Sequence, residues 1–208
     1  MFITVEGCEG TGKSTQVALL AEALRETGLV VTEVREPGGT PVSEVVRTVL
    51  LNREHDGLDP RAELLLYEAS RAELVSRVIR PALAAGGAVI CDRFFDSTTA
   101  YQGYGRELPL DQVVRLNQFA ASGLVPDLTI VLDLDPAEGL TRATGSGVDR
   151  LEAEHLTFHE RVREGFLKIA ADDPDRVVVV PATGSPAQVA ERVLAAVRTL
   201  PVLATVLH

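Results

Sequence analysis

The sequence predicts a doubly wound α/β fold, a parallel sheet of about five strands with helices on both faces. Three observations predict it. Short apolar runs alternate with helical patterns from end to end of the chain. The runs are apolar at consecutive positions, as strands covered on both faces are. Helix-starting Asp-Pro and Ser-Pro pairs and helix-stopping glycines stand between them. Ligands of such sheets bind beyond the carboxyl ends of the strands.

The elements follow in order. Phe2–Val5 is the first strand, and Val17, Leu20, Ala21 and Leu24 repeat at the spacing of an amphipathic helix. Val30–Val34 is the second strand and Pro41–Leu51 a helix. Asp59-Pro60 caps and opens a long helix towards Ala85, whose last turns Pro81 should kink or shorten. Ala88–Cys91 is the third strand. Pro109–Ser122 is helical and stops at Gly123. Leu128–Leu132 is the fourth strand, and Asp135-Pro136 repeats the cap-and-proline start. Helix resumes over Glu154–Ala171 after a Gly/Ser-rich stretch at Thr144–Gly147, and Val177–Val180 is the last strand. Ser185-Pro186-Ala187-Gln188 fits a capping box. The apolar segment Pro201–His208 has no assignment.

With 208 residues, the chain suits one domain, read as residues 1–208 with a lid around 142–152. Its 46% apolar and 24% charged content excludes disorder and coiled coil. A net charge of -10 argues against a nucleic-acid partner, which needs a basic stripe. Cys8 and Cys91 have no metal spacing and are expected as free thiols. No apolar run reaches the ~18 residues of a membrane span, and the start lacks a basic, cleavable leader. A soluble, cytoplasmic protein with no membrane partner is expected.

The chemistry begins at Gly7-Cys8-Glu9-Gly10-Thr11-Gly12-Lys13-Ser14, followed by Thr15. This matches G-x-x-x-x-G-K-[ST] between a predicted strand and a predicted helix, the context in which it cradles nucleotide phosphates. Glycines let the backbone wrap the phosphates, and the helix N-terminus adds positive charge. Lys13 suits the β/γ-phosphates and Ser14 a Mg²⁺ ligand. The fold class is thus of the P-loop nucleotide-hydrolase type, with ATP as donor. Asp92-Arg93 closes the third strand: Asp92 stands where an acid would help hold Mg²⁺, and Arg93 offers a planar fork for a second phosphate. Arg142 and Arg150 flank the Thr144–Gly147 stretch, which fits a phosphate-covering lid or an exposed loop. Tyr67 and Arg71 share a helix face, which could hold a stacking ring beside a base-edge donor but by the residues alone reads first as helix core and an exposed charge.

Arg35-Glu36-Pro37-Gly38-Gly39-Thr40, Asp92-Arg93-Phe94, Ser97-Thr98-Thr99-Ala100-Tyr101-Gln102-Gly103 and Pro126-Asp127-Leu128-Thr129 add to the P-loop. In this order, from Phe2 to about Leu200, they resemble bacterial thymidylate kinase. The resemblance implies transfer of the ATP γ-phosphoryl to dTMP, with Mg²⁺, in a homodimer. It implies that Glu9 meets the deoxyribose 3′-hydroxyl and that Arg93 holds the acceptor phosphate. It implies too that Tyr67 stacks on thymine and that Arg71 bonds its carbonyl. By the same resemblance, Thr98 and Gln102 are expected to read the base edge and line its pocket, Tyr101 to crowd the sugar 2′ position, and Arg35 to Thr40, with Glu36 and Pro37, to form the acceptor-side loop. Lys13, Arg93, Arg142 and Arg150 are the expected catalytic cations. One departure stands out: no Arg or Lys lies between Arg142 and Arg150, where the family branch places its catalytic arginine. Those two must then divide the work, or a residue outside the motif contributes. Rival readings are another small P-loop kinase and a nucleotide-binding ATPase switch.

Overall fold

A computed structural model describes residues 1–143 and 150–200. The elements are β1 (Phe2–Glu6), α1 (Lys13–Glu26), β2 (Val31–Arg35), α2 (Pro41–Leu51), α3 (Pro60–Leu74), α4 (Arg80–Ala84), β3 (Ala88–Asp92), α5 (Phe95–Thr98), α6 (Leu110–Ala120), β4 (Leu128–Asp133), α7 (Pro136–Ala143), α8 (Leu156–Asp172), β5 (Val177–Pro181) and α9 (Pro186–Val197). The strands form one five-stranded sheet in the order β2-β3-β1-β4-β5, and every pairing is parallel.

The pleat sorts β1 residue by residue. Ile3 and Val5 face a core shared with Val17, Leu20 and Leu24 of α1 and Val189 and Val193 of α9. Phe2 faces the opposite core, with Leu74, Ile79, Val89 and Phe94. Next to it, Thr4 and Thr129 share a buried hydroxyl–hydroxyl bond of 2.8 Å between strands. The edge strand β2 is only partly buried, so consecutive apolar residues were not its signature.

Local chemistry sets the helix starts. Asp59 caps α3 by accepting from the Arg61 N–H at 2.9 Å, and Ser185 and Gln188 exchange both bonds of a capping box. The long predicted helix is divided. Between α3 and α4 lies one wide π-type turn, Val75–Ile79, just ahead of Pro81. Proline has no N–H and its ring would crowd the carbonyl of a normal turn, and widening the preceding turn relieves this. A second π-type stretch, Thr99–Gly105, follows α5. The predicted Thr144–Gly147 stretch of the lid and the segment Pro201–His208 lie outside the described residues. Among the described residues no helix is long and apolar enough to cross a membrane.

Candidate active site

The loop after β1 turns on glycines. Gly7, Gly10 and Gly12 all have positive φ, at 136°, 67° and 86°. At Gly10 the space is also closed, since a Cβ would lie 1.9 Å from the Gly139 carbonyl oxygen of α7. Lys13 opens α1 and folds back over the loop, donating from Nζ to the Cys8 carbonyl at 2.7 Å. Burial, then the nearby Arg93, lowers its pKa from the ordinary lysine value. Ser14 Oγ donates to Asp92 Oδ2 at 2.7 Å. This oxygen pair, from the first turn of α1 and the end of β3, fits Mg²⁺, which takes few protein ligands and completes its shell with phosphate and water. Among the described residues no group of three or more His, Cys, Asp or Glu is placed to hold a metal by itself. Cys8 and Cys91 are free and buried, and burial pushes the Cys8 thiol up to about 12, so it is inert.

Arg93 leaves β3 with φ at 70°, a left-handed conformation that costs a non-glycine residue about 1–3 kcal/mol. The turn swings its guanidinium over the P-loop. It donates to the Gly7 carbonyl at 2.9 Å, to Ser97 Oγ at 3.1 Å, to Glu9 Oε2 at 2.7 Å and to the Tyr101 hydroxyl at 3.1 Å. Tyr101 in turn donates to Glu9 Oε2 at 2.5 Å. Burial alone would raise the Glu9 pKa, but Arg93, Lys13 and the Tyr101 hydroxyl outweigh it and hold the carboxyl below its ordinary range.

Glu6, missed as a site residue, sustains this turn. It is fully buried, accepts from the Phe94 N–H at 2.7 Å and from Ser97 Oγ at 2.5 Å, and burial raises its carboxyl to about 8. Its only sequence signal was its place beside the P-loop.

Three adjoining cavities run along the strand ends. The first, about 430 Å³, is lined by Gly10, Gly12, Lys13, Ser14, Thr15 and Arg142. The second, about 250 Å³, lies against Glu9, Lys13, Asp92 and Arg93, with Glu36 and Pro37 opposite. Arg35 and Arg47 also line it and both donate to the Pro37 carbonyl, at 3.1 and 3.0 Å. Arg47, nearly two helical turns into α2, was not singled out in the sequence. The third cavity joins Glu36, Tyr67, Arg71, Thr98, Tyr101 and Gln102. It is narrow, about 20 Å³, or room for roughly one water.

Arg71 lines this third cavity, but four of its five N–H donors already bond within the protein. They go from Nε to Glu36 at 2.9 Å, from Nη1 to Glu68 and Asn117 at 2.8 Å each, and from Nη2 to Thr98 Oγ1 at 2.8 Å, with Nη2 also 2.8 Å from the Glu36 carboxylate as an ion pair. A ligand bonding Arg71 must therefore share a guanidinium already held on most of its edges. Gln102 donates to Glu63 Oε1 at 2.8 Å.

The two arginines expected in a lid part company. Arg142 lines the P-loop cavity, tethered to Glu138 of its own helix at 2.5 Å. Arg150 is not brought to that cavity. It is buried, donates to the Leu50 carbonyl at 2.8 Å and pairs with the buried Glu63 at 2.5 Å. A carboxylate that deep holds a guanidinium more firmly than an exposed loop position would.

Comparison with known proteins gives the family. The family model described as thymidylate kinase matches residues 5–193. A thymidylate kinase of Synechococcus sp. (strain JA-2-3B'a(2-13)) is 55% identical over 205 residues, covering 99% of this chain and 98% of that protein. One from Solidesulfovibrio magneticus is 53% identical over 201 residues, covering 93% and 96%. The crystal structure of thymidylate kinase from Ehrlichia chaffeensis superposes with a TM-score of 0.78 at 38% identity, covering 95% of this chain and 98% of that one. With the match running from the second half of β1 into α9, this chain belongs to the thymidylate kinase family.

Proposed function

We propose that the enzyme transfers the γ-phosphoryl group of ATP to dTMP, giving dTDP and ADP. One observation carries this reading. A P-loop cavity and a cavity lined by Tyr67, Arg71, Thr98 and Gln102 open on the same centre, where Lys13 and Arg93 stand on either side of Glu9. The acceptor is already a phosphate oxyanion, so no strong general base is needed. The barrier lies in bringing two polyanions together and spreading the charge of the moving group. Lys13 and the loop N–H groups hold the donor phosphates, and Arg93 holds the acceptor phosphate. Glu9, kept ionised, accepts from the sugar hydroxyl, and Tyr101 closes the floor beside it. Tyr67 stacks on the base while Arg71, Thr98 and Gln102 read its edge. Glu36 and Pro37 wall the acceptor side. Arg142 is the arginine best placed to add charge on the donor side. Mg²⁺, held through Ser14 and Asp92, supplies charge neutralisation at the β- and γ-phosphates when bound. The third cavity must widen to admit a pyrimidine. We further propose a cytoplasmic homodimer, with exposed Val42, Val45 and Leu65 of α2 and α3 as candidate contact residues.

The test is ADP release from ATP and Mg²⁺ with dTMP, dUMP, dCMP, dGMP, UMP or no acceptor. Turnover with dTMP well above all others is expected. In Arg93→Ala, kcat/KM for dTMP should fall at least about 10³-fold while ATP binding persists. Equal slow release in every well would refute the reading in favour of an ATPase switch.

A further inference from the structure

None of the roles above calls on Glu63, yet its side chain is completely buried. Its carboxylate gathers groups from separate parts of the chain. Gln102 Nε2 donates to Oε1 at 2.8 Å, and Arg106 donates Nε to Oε1 at 3.2 Å and Nη2 to Oε2 at 3.1 Å. Arg150 Nη2 lies 2.5 Å from Oε2. Arg106 is shared with Glu154 at 2.6 Å, so the network grips the segment 150–154 at both ends. Burial would raise the Glu63 pKa, but Arg106, Gln102 and Arg150 outweigh it and hold the carboxyl below its ordinary value.

A buried ionic cluster is weak evidence for stability in itself. What sets this one apart is where its ends lead. Gln102 is a wall of the third cavity. The residues after Arg150 face the other two: Leu151 lines the third and second cavities, and Glu152 the second and first. One path thus runs from the acceptor side to the donor side without passing through the reacting centre: Gln102 to Glu63 by a charge-assisted hydrogen bond, and Glu63 to Arg150 by a close ion pair.

We infer that Glu63 is a positioning residue that couples acceptor binding to donor binding. This rests on the donor and acceptor assignment proposed above. A base seated against Gln102 fixes Gln102 on Glu63. Glu63 then fixes Arg150, and with it the placement of Leu151 and Glu152 on the donor side. The coupling is reciprocal, so ATP strengthens dTMP binding by the same factor.

The experiment measures the apparent KM for ATP at low and at saturating dTMP, and the converse, in wild type, Glu63→Gln and Arg150→Met. In wild type, saturating dTMP should lower the apparent KM for ATP about fivefold or more, as expected of a typical coupled pair of sites. In both variants the ratio should fall close to one, with kcat reduced. Glu63→Gln leaves Arg150 without its carboxylate and can fail to fold. Arg150→Met keeps Glu63 paired with Arg106 and decides the matter in that case. A purely structural pin lowers the active fraction and hence kcat, with both KM values and their ratio intact. That result, an unchanged ratio in Arg150→Met, or a wild-type ratio of one overturns the inference while leaving dTMP kinase activity in place. No dTMP-dependent turnover in wild type removes the functional reading, and this inference with it.

Discussion

Two buried arginine–glutamate clusters flank the third cavity, the one proposed to take the acceptor, and their charge ratios are opposite. In one, the single guanidinium of Arg71 serves two carboxylates, Glu36 and Glu68. In the other, the single carboxylate of Glu63 serves two guanidinium groups, Arg106 and Arg150. The carboxylate pKa values follow the ratio. Burial raises Glu36 to about 7, opposed by Arg71 and reinforced by Glu68, and burial also raises Glu68 against Arg71. Glu63 suffers burial too, yet the surplus of cations takes it below its ordinary value. Similar side chains at similar depth therefore titrate in opposite directions. Depth sets the penalty, and the count of partners decides its sign.

The largest test of this contrast is Arg71→Ala. It leaves two buried carboxylates with no cation and should cost about 3–5 kcal/mol of stability. Urea unfolding at pH 7 measures it, and dTMP affinity should fall with it. Glu63→Gln should cost less, about 2–3 kcal/mol, because Arg106 keeps Glu154. If Glu63→Gln proves the costlier of the two, the partner count is not what separates the clusters.

A smaller effect is the pH dependence. Glu36 has its folded pKa raised from 4.5 to about 7. Between those values the folded chain keeps a proton that the unfolded chain has released, so this group's contribution to stability falls as pH rises from about 4.5 to about 7. For Glu63 the folded pKa is lowered. Its contribution is complete at neutral pH and is lost as pH falls below its ordinary value of 4.5. Glu36→Gln should therefore change stability at pH 7 by no more than about 1 kcal/mol and flatten the slope between pH 4.5 and 7. Unfolding curves of wild type and variant across that range check the sign. A slope left unaltered in Glu36→Gln would place the pH response elsewhere.

The contrast also marks how far the sequence could be read. All five strands were visible, because four of them are apolar runs and β2 carries valines between turns. Helix starts were visible because Asp59-Pro60 and Ser185-Pro186 are local signals, satisfied within a few residues. The P-loop was visible for the same reason: strand, glycines and lysine are contiguous. The clusters were not. Glu63 and Arg150 lie far apart in the chain, and no spacing rule joins an acid on one helix to an arginine beyond another. Arg150 therefore read as a loop cation, while the structure buries it. Arg47 and Glu6 were hidden likewise, each looking like an ordinary helix charge or strand-end acid until the chain folds. The break before Pro81 was legible, since a proline there was expected to kink or shorten the helix, although the π form it takes was not, and the π-type stretch Thr99–Gly105 carries no such mark in the residues.

The backbone contact between Gly10 and Gly139 reaches further than the shape of a loop. A methyl group at Gly139 would stand 2.3 Å from the Glu9 carbonyl oxygen, just as one at Gly10 would stand 1.9 Å from that of Gly139. Main chain rests on main chain, with no side chain between them to repack. The phosphate loop and the helix carrying Arg142 are therefore seated backbone against backbone at this point, with no room for a side chain on either glycine. For an engineer this is a fixed datum: residues further along α7 can be exchanged to retune the donor site, but its seat cannot be shimmed by even one carbon.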